Sequence, residues 1–223
     1  MRVRLRSAIF FVCGSVALSG LATAGTVQLS SASGLAVGDT TLTFPTVATS
    51  TTVSSPYSRS AGGNTLLFSD TGGKFELDTV GTTYFGTGFA NGTNILYAAG
   101  FSGASAPITI NFLNPVDQIG FNAEEFSFGN ETFNFLAFNG ANLIGNYTAT
   151  GNDPNSLAFL GLEANLGDVI TSLQISDVNG NNIALGPITY DTVPVSPVPE
   201  PGTLALLGTG LAGLATLRRR FIR

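Results

Sequence analysis

The 223-residue chain contains no histidine and no tryptophan, and its one cysteine, Cys13, lies in an apolar stretch near the N-terminus. Without histidine, serine–histidine and cysteine–histidine triads cannot be assembled, and the usual zinc ligand sets are missing. Without tryptophan, the commonest stacking platform for a sugar ring is lost. Basic residues are scarce too. Between Gly25 and Pro197 only Arg59 and Lys74 are basic, against thirteen carboxylates, a formal net charge of −11. Such a surface suits neither nucleic acid nor anionic lipid. Long helical patterns are also absent: outside the two chain ends no segment of 11 residues or more shows a 3.6-residue apolar period.

What is present begins at the N-terminus. Arg2, Arg4 and Arg6 form a positive n-region, and Ala8 to Leu21 is an apolar h-region. Ala22-Thr23-Ala24 then supplies a small-residue cleavage site, predicting Gly25 as the mature N-terminus and residues 1–24 as a signal peptide. Val12 before Cys13 is too large for a lipoprotein signal, so the mature protein is expected to have no cysteine and no disulfide.

About 170 residues follow, enough for one domain with a real core. Short apolar runs recur about every ten residues, separated by Gly, Asn and Asp. Strands are expected at Thr40–Phe44, Thr65–Ser69, Lys74–Asp78, Thr83–Phe85, Ile95–Ala98, Pro107–Phe112 and, beyond a turn at Asn114-Pro115, Gln118–Phe121. Two Asn-Gly pairs predict type I′ hairpins: Asn139-Gly140 between Phe133–Phe138 and Ala141–Thr148, and Asn179-Gly180 between Ile170–Asp177 and Ile183–Tyr190. Leu157–Leu162 reads as a buried strand between them. The expected fold is all-β, an antiparallel, jelly-roll-like β-sandwich over residues 25–192. Fourteen of the 17 phenylalanines fall in this domain, and their alternation assigns them to its core.

Candidate chemistry rests on carboxylates. Glu124, Glu125 and Glu131 invite a glycosidase reading, which needs two carboxyls facing each other across a sugar. Neighbouring strand residues point to opposite faces, so Glu124 and Glu125 read instead as a solvated turn. The Asp177-Val-Asn179-Gly180-Asn181-Asn182 stretch misplaces its glycine for an EF-hand. No cofactor or catalytic residue is expected. A structural calcium at Asp70, Glu76 and Asp78, or at Glu124 and Glu125, stays open. The sequons at Asn91, Asn130 and Asn146 read as chance matches in an Asn/Thr-rich chain.

The C-terminus has three parts after a Pro-rich linker at residues 193–198: a Pro199-Glu200-Pro201 box, an apolar run Thr203–Leu217, and the basic cluster Arg218, Arg219, Arg220 and Arg223. Both prolines fix φ and donate no backbone hydrogen bond, so the box stays extended and accessible. The run is 15 residues, roughly 23 Å as a helix, short of the roughly 20 residues of a comfortable span. The arginines predict a cytoplasmic end.

This tail, residues 199–223, resembles the sorting signal of the PEP-CTERM family of bacterial exported proteins, a signal also called an ice-binding-protein carboxy-terminal domain. The strands over residues 107–193 resemble the β-sandwich ectodomain common in that family. The resemblance implies an exosortase as processing partner, recognising Pro199-Glu200-Pro201. It implies export across the inner membrane, a transient hold by the C-terminal helix, and a final place at the cell surface or outside it. The expected function is non-enzymatic: structural or adhesive in exopolysaccharide or biofilm matrix, or alternatively a carbohydrate-binding module, which an exposed aromatic patch would mark. Threonine pairs such as Thr41 and Thr43 raise an ice-binding reading, but no fixed period supports it.

Overall fold

A computed structural model describes residues 25–35, 39–84, 88–98, 107–125, 129–153, 156–165, 167–180 and 182–192. The expected signal helix, linker and sorting tail lie outside the described residues. In chain order the strands are β1 (Thr26–Gln28), β2 (Thr40–Leu42), β3 (Thr51–Ser54), β4 (Tyr57–Ala61), β5 (Asn64–Ser69), β6 (Lys74–Thr79) and β7 (Asn94–Ala98). They continue as β8 (Ile108–Glu125), β9 (Gly129–Asn139), β10 (Asn142–Asp153), β11 (Ala158–Ala164), β12 (Ile170–Asp177) and β13 (Ile183–Thr192), and a single 3-10 turn sits at Ala32–Gly34. All strand pairs are antiparallel.

One strand, β8, belongs to both layers of the sandwich. Its first part pairs with β5 and β12, so one sheet runs β10-β9-β12-β8-β5-β4. Its second part pairs with β11 and β13, so the other runs β1-β11-β8-β13-β7-β6-β3, with β2 also on β13. The turn expected at Asn114-Pro115 is therefore a bend inside a strand. Leu113 to Pro115 are exposed there, where proline has no ladder bond to lose. The bend also changes phase. Ile108, Ile110 and Phe112 face the core before it, and Ile119, Phe121 and Ala123 after it. An extra residue around Asp117, where the register shifts on β13, reverses the side-chain alternation.

The inner faces of both sheets close on one core, with Phe44, Phe68, Phe75, Phe133, Phe135 and Tyr190 its largest fully buried side chains. Each such side chain contributes roughly 1.5–3 kcal/mol by leaving water. Phe44 meets Phe68 edge-on at 5.7 Å, and the Tyr190 hydroxyl, buried with its ring, donates to the Ala61 carbonyl at 2.6 Å.

Three local expectations need correction. Thr83 and Tyr84 of the expected Thr83–Phe85 strand form none: Thr83 lies in a turn, Tyr84 makes one isolated bridge to Val80, and Phe85 lies outside the described residues. The β9–β10 hairpin is present, but Asn139 and Asn142 are partners, so its two-residue loop is Gly140-Ala141. Gly140 has φ +59°, and among the described residues no other residue type has positive φ. That fits a type II′ turn with glycine first, not type I′. Asn179-Gly180 joins no hairpin at all. β12 pairs with β8 and β9, β13 with β8, β7 and β2, so this loop crosses from one sheet to the other.

Candidate functional site

Alternation at the end of β8 sends Glu124 to the outer face of the second sheet and Glu125 to the core side. Neither is solvated: Glu124 is 1% exposed, Glu125 4% and Glu131 0%. The solvated turn is thus replaced by three buried acids. Glu131 braces backbone, its Oε2 accepting from the Glu125 N–H at 2.8 Å and its Oε1 from the Ala158 N–H at 3.3 Å. A Cβ at Gly151 would stand 2.2 Å from that Oε1, so the carboxylate fits only because residue 151 has no side chain. Glu124 is held from the loop side, its Oε2 accepting from the Gly88 N–H at 2.9 Å.

The outer face carries a second, smaller core. Glu76, Tyr97, Ala184 and Glu124 are cross-strand partners in one row over β6, β7, β13 and β8, and Asp78 stands beside them opposite Ile95. Val80, Tyr84 and Phe89 cover this row and pack on Ile95, Tyr97 and Ala184. Tyr84 lies 5.8 Å from Tyr97, ring to ring. The Tyr97 hydroxyl accepts from Asn182 Nδ2 at 2.8 Å. Burial raises its pKa above 10.0, the Asn182 bond opposes this, and the Glu76 and Asp78 charges raise it further, so the phenol stays neutral. Asp78 is 3% exposed, with an Oδ1 that has no hydrogen-bond partner.

These acids do not make a glycosidase pair. Glu124 and Glu125 face opposite ways. Asp78 and Glu124 share a face but sit three strands apart, about 14 Å at about 4.8 Å per strand, wider than the roughly 5–9.5 Å of such pairs. Nor are the calcium candidates Asp70, Glu76 and Asp78 gathered. Asp70 caps its own turn by accepting from the Gly72 N–H at 2.9 Å, Glu76 accepts from the Ser50 hydroxyl at 3.3 Å, and Asp78 is under the cover. Among the described residues no group of three or more His, Cys, Asp or Glu could hold a metal ion.

No described phenylalanine or tyrosine is exposed, so the aromatic patch that would mark a carbohydrate module is not seen among them. The Thr41 and Thr189 hydroxyls bond to each other at 3.1 Å. Of the processing residues, Ala22, Ala24, Pro199, Glu200, Pro201, Arg218, Arg219, Arg220 and Arg223 lie outside the described residues. Gly25 is described, and its carbonyl accepts from the Asn165 N–H at 2.9 Å. The Lys74–Asp78 alternation places Glu76 and Asp78 on one face, but nothing local announces the loop that covers them. Among the described residues no helix is long and apolar enough to cross a membrane.

Residues 197–220 match the PEP-CTERM protein-sorting motif. No curated protein sequence matches the chain. One solved structure similar to part of it holds the CBM22-1 and GH10 modules of the Clostridium thermocellum N-terminal endo-1,4-β-D-xylanase 10B, complexed with xylohexaose. The identity is 15% and the TM-score 0.32, over 46% of this chain and 22% of that one. At that score the likeness carries no argument.

Proposed function

We propose that this chain, which carries a PEP-CTERM sorting motif, is the substrate of an exosortase and works outside the cell as a structural or adhesive protein. The motif match over residues 197–220 supports this above all else. The signal peptide would start export, and the apolar run 203–217 would hold the protein at the inner membrane, with Arg218, Arg219, Arg220 and Arg223 on the cytoplasmic side. At 15 residues the run is a marginal anchor. That suits a transient hold ended by cleavage near Pro199-Glu200-Pro201.

A non-catalytic ectodomain fits the buried acids Glu124 and Glu131. Glu124 and Glu131 are bound to backbone N–H groups and buried, which suits bracing rather than proton transfer to a substrate. The role in exopolysaccharide or biofilm rests on an acidic, Thr/Asn-rich surface with few cations. Replacing Pro199-Glu200-Pro201 by three alanines should leave the unprocessed precursor at the inner membrane, read by fractionation and a tail-specific mass shift. Unchanged processing and location would sink the sorting reading.

A further inference from the structure

The strand register fixes where the two ends of the described domain emerge. Val27 pairs with Glu163, Glu163 with Gln118, and Gln118 with Asp191, one row across β1, β11, β8 and β13. Each of these strands is antiparallel to the next, so β1 and β13 run in opposite senses. One residue back from Val27 is Thr26, at the start of β1. One residue on from Asp191 is Thr192, at the end of β13. Both chain ends therefore leave the same end of the second sheet, three strand spacings apart, about 14 Å. Glu125 and Ile183 pair at the opposite end of that sheet. Seven residues along β8 separate it from Gln118, about 23 Å at about 3.3 Å per residue.

Reach outside the domain is short on one side. Only residues 22–24 separate the expected signal h-region from Gly25, about 10 Å fully extended. On the other side residues 193–202 precede the apolar run, about 33 Å when extended. The signal peptide and the tail each leave the domain on the outer side of the membrane, so a domain with both ends on one side meets both constraints without unfolding. A domain with its ends opposed would need most of that roughly 33 Å of linker to run back along its length.

We propose that the precursor stands end-on at the inner membrane, tethered at both chain ends, with the Gly25/Thr192 end of the sandwich facing the lipid and the Glu125/Ile183 end pointing away. This rests on the sorting reading above. The membrane-facing end carries Asp117, Glu163 and Asp191 and, among the described residues of that row, no cation. It offers anionic headgroups repulsion instead of a docking patch. The covalent tethers supply the whole hold, so cutting them frees the domain.

The test uses single-cysteine reporters in the full-length precursor on a Cys13→Ser background, reconstituted into phosphatidylcholine vesicles with a headgroup-attached quencher. Glu163→Cys labels the membrane-facing end. Val178→Cys labels the far end, where the Val178 N–H donates to the Thr132 carbonyl at 2.9 Å and the side chain is 55% exposed. The Glu163 label should be quenched severalfold more strongly than the Val178 label. Equal quenching, or stronger quenching at Val178, overturns the end-on arrangement while leaving the sorting reading intact. A precursor that stays off the vesicles overturns both.

Discussion

The two faces of the second sheet are built on opposite terms. Its inner face is mainly hydrocarbon: Phe75, Leu77, Leu96, Ile183, Leu185 and Phe121 close on the other sheet, and buried acids, Glu125, Glu131 and Asp177, stand only toward the Glu125/Ile183 end. Its outer face buries Asp78, Glu124 and Tyr97 under a cover of Val80, Tyr84 and Phe89. An inner contact gains from area removed from water, whereas the outer face draws also on donors such as the Gly88 N–H that meets Glu124. The difference teaches that burial on this sheet has two sources of stability. The first is lost with volume, and the second with a donor such as the Gly88 N–H on Glu124.

The faces can be set against each other by substitution. Phe121→Ala on the inner face should cost the most, about 3–5 kcal/mol, since the bent strand around it cannot collapse into the space. The urea midpoint should fall with an unchanged slope. Gly186→Ala on the outer face should cost less, about 1–3 kcal/mol of overpacking, because its Cβ would come within 2.6 Å of the Phe89 ring. It should also raise hydrogen exchange in residues 79–93 alone, since only the cover is pushed out. Equal exchange across both faces would show that the cover and the main core open as one unit.

The smallest effect is expected at Asp117, where β8 changes phase between the two layers. Burial, followed by the Asp191 charge and more weakly that of Glu163, raises this carboxyl above its ordinary 3.8, against opposing bonds from its own and the Gln118 backbone. A raised carboxyl holds its proton more tightly folded than unfolded. Its ionisation therefore lowers stability as pH climbs through 3.8 and upward. Asp117→Asn should raise the unfolding midpoint at neutral pH, and the gain should vanish below the ordinary value. A gain that persists in acid would place its origin in packing and not in charge.

The Asn-Gly pairs at 139–140 and 179–180 show how far a local turn signal reaches. Around Asn139-Gly140 the flanking runs are local partners, and the hairpin is found with its loop moved by one residue to Gly140-Ala141. Around Asn179-Gly180 the same signal is present, and Gly180 does take φ +77°. Its flanking strands nonetheless part company, because β8 offers each of them a place in a different sheet. A dipeptide specifies a turn. It cannot specify which strands the turn will join. Glu124 and Glu131 make the same point: charge alone read as solvent, whereas the Gly88 and Ala158 N–H groups and the space at Gly151 receive them inside.

By itself the sequence determined the all-β class, the interior place of most of the described phenylalanines, and the motif at residues 197–220. Each is encoded locally, in two-residue alternation, turn punctuation or a contiguous stretch. Tertiary structure alone decided that β8 serves both sheets, that the outer face is roofed, and that both ends of the described domain lie at the same end of the sandwich. Those depend on which distant strands close one another's hydrogen bonds, and backbone groups on adjacent strands are satisfied by partners up to about 150 residues away, as between Thr41 and Thr189. No local pattern records such a choice.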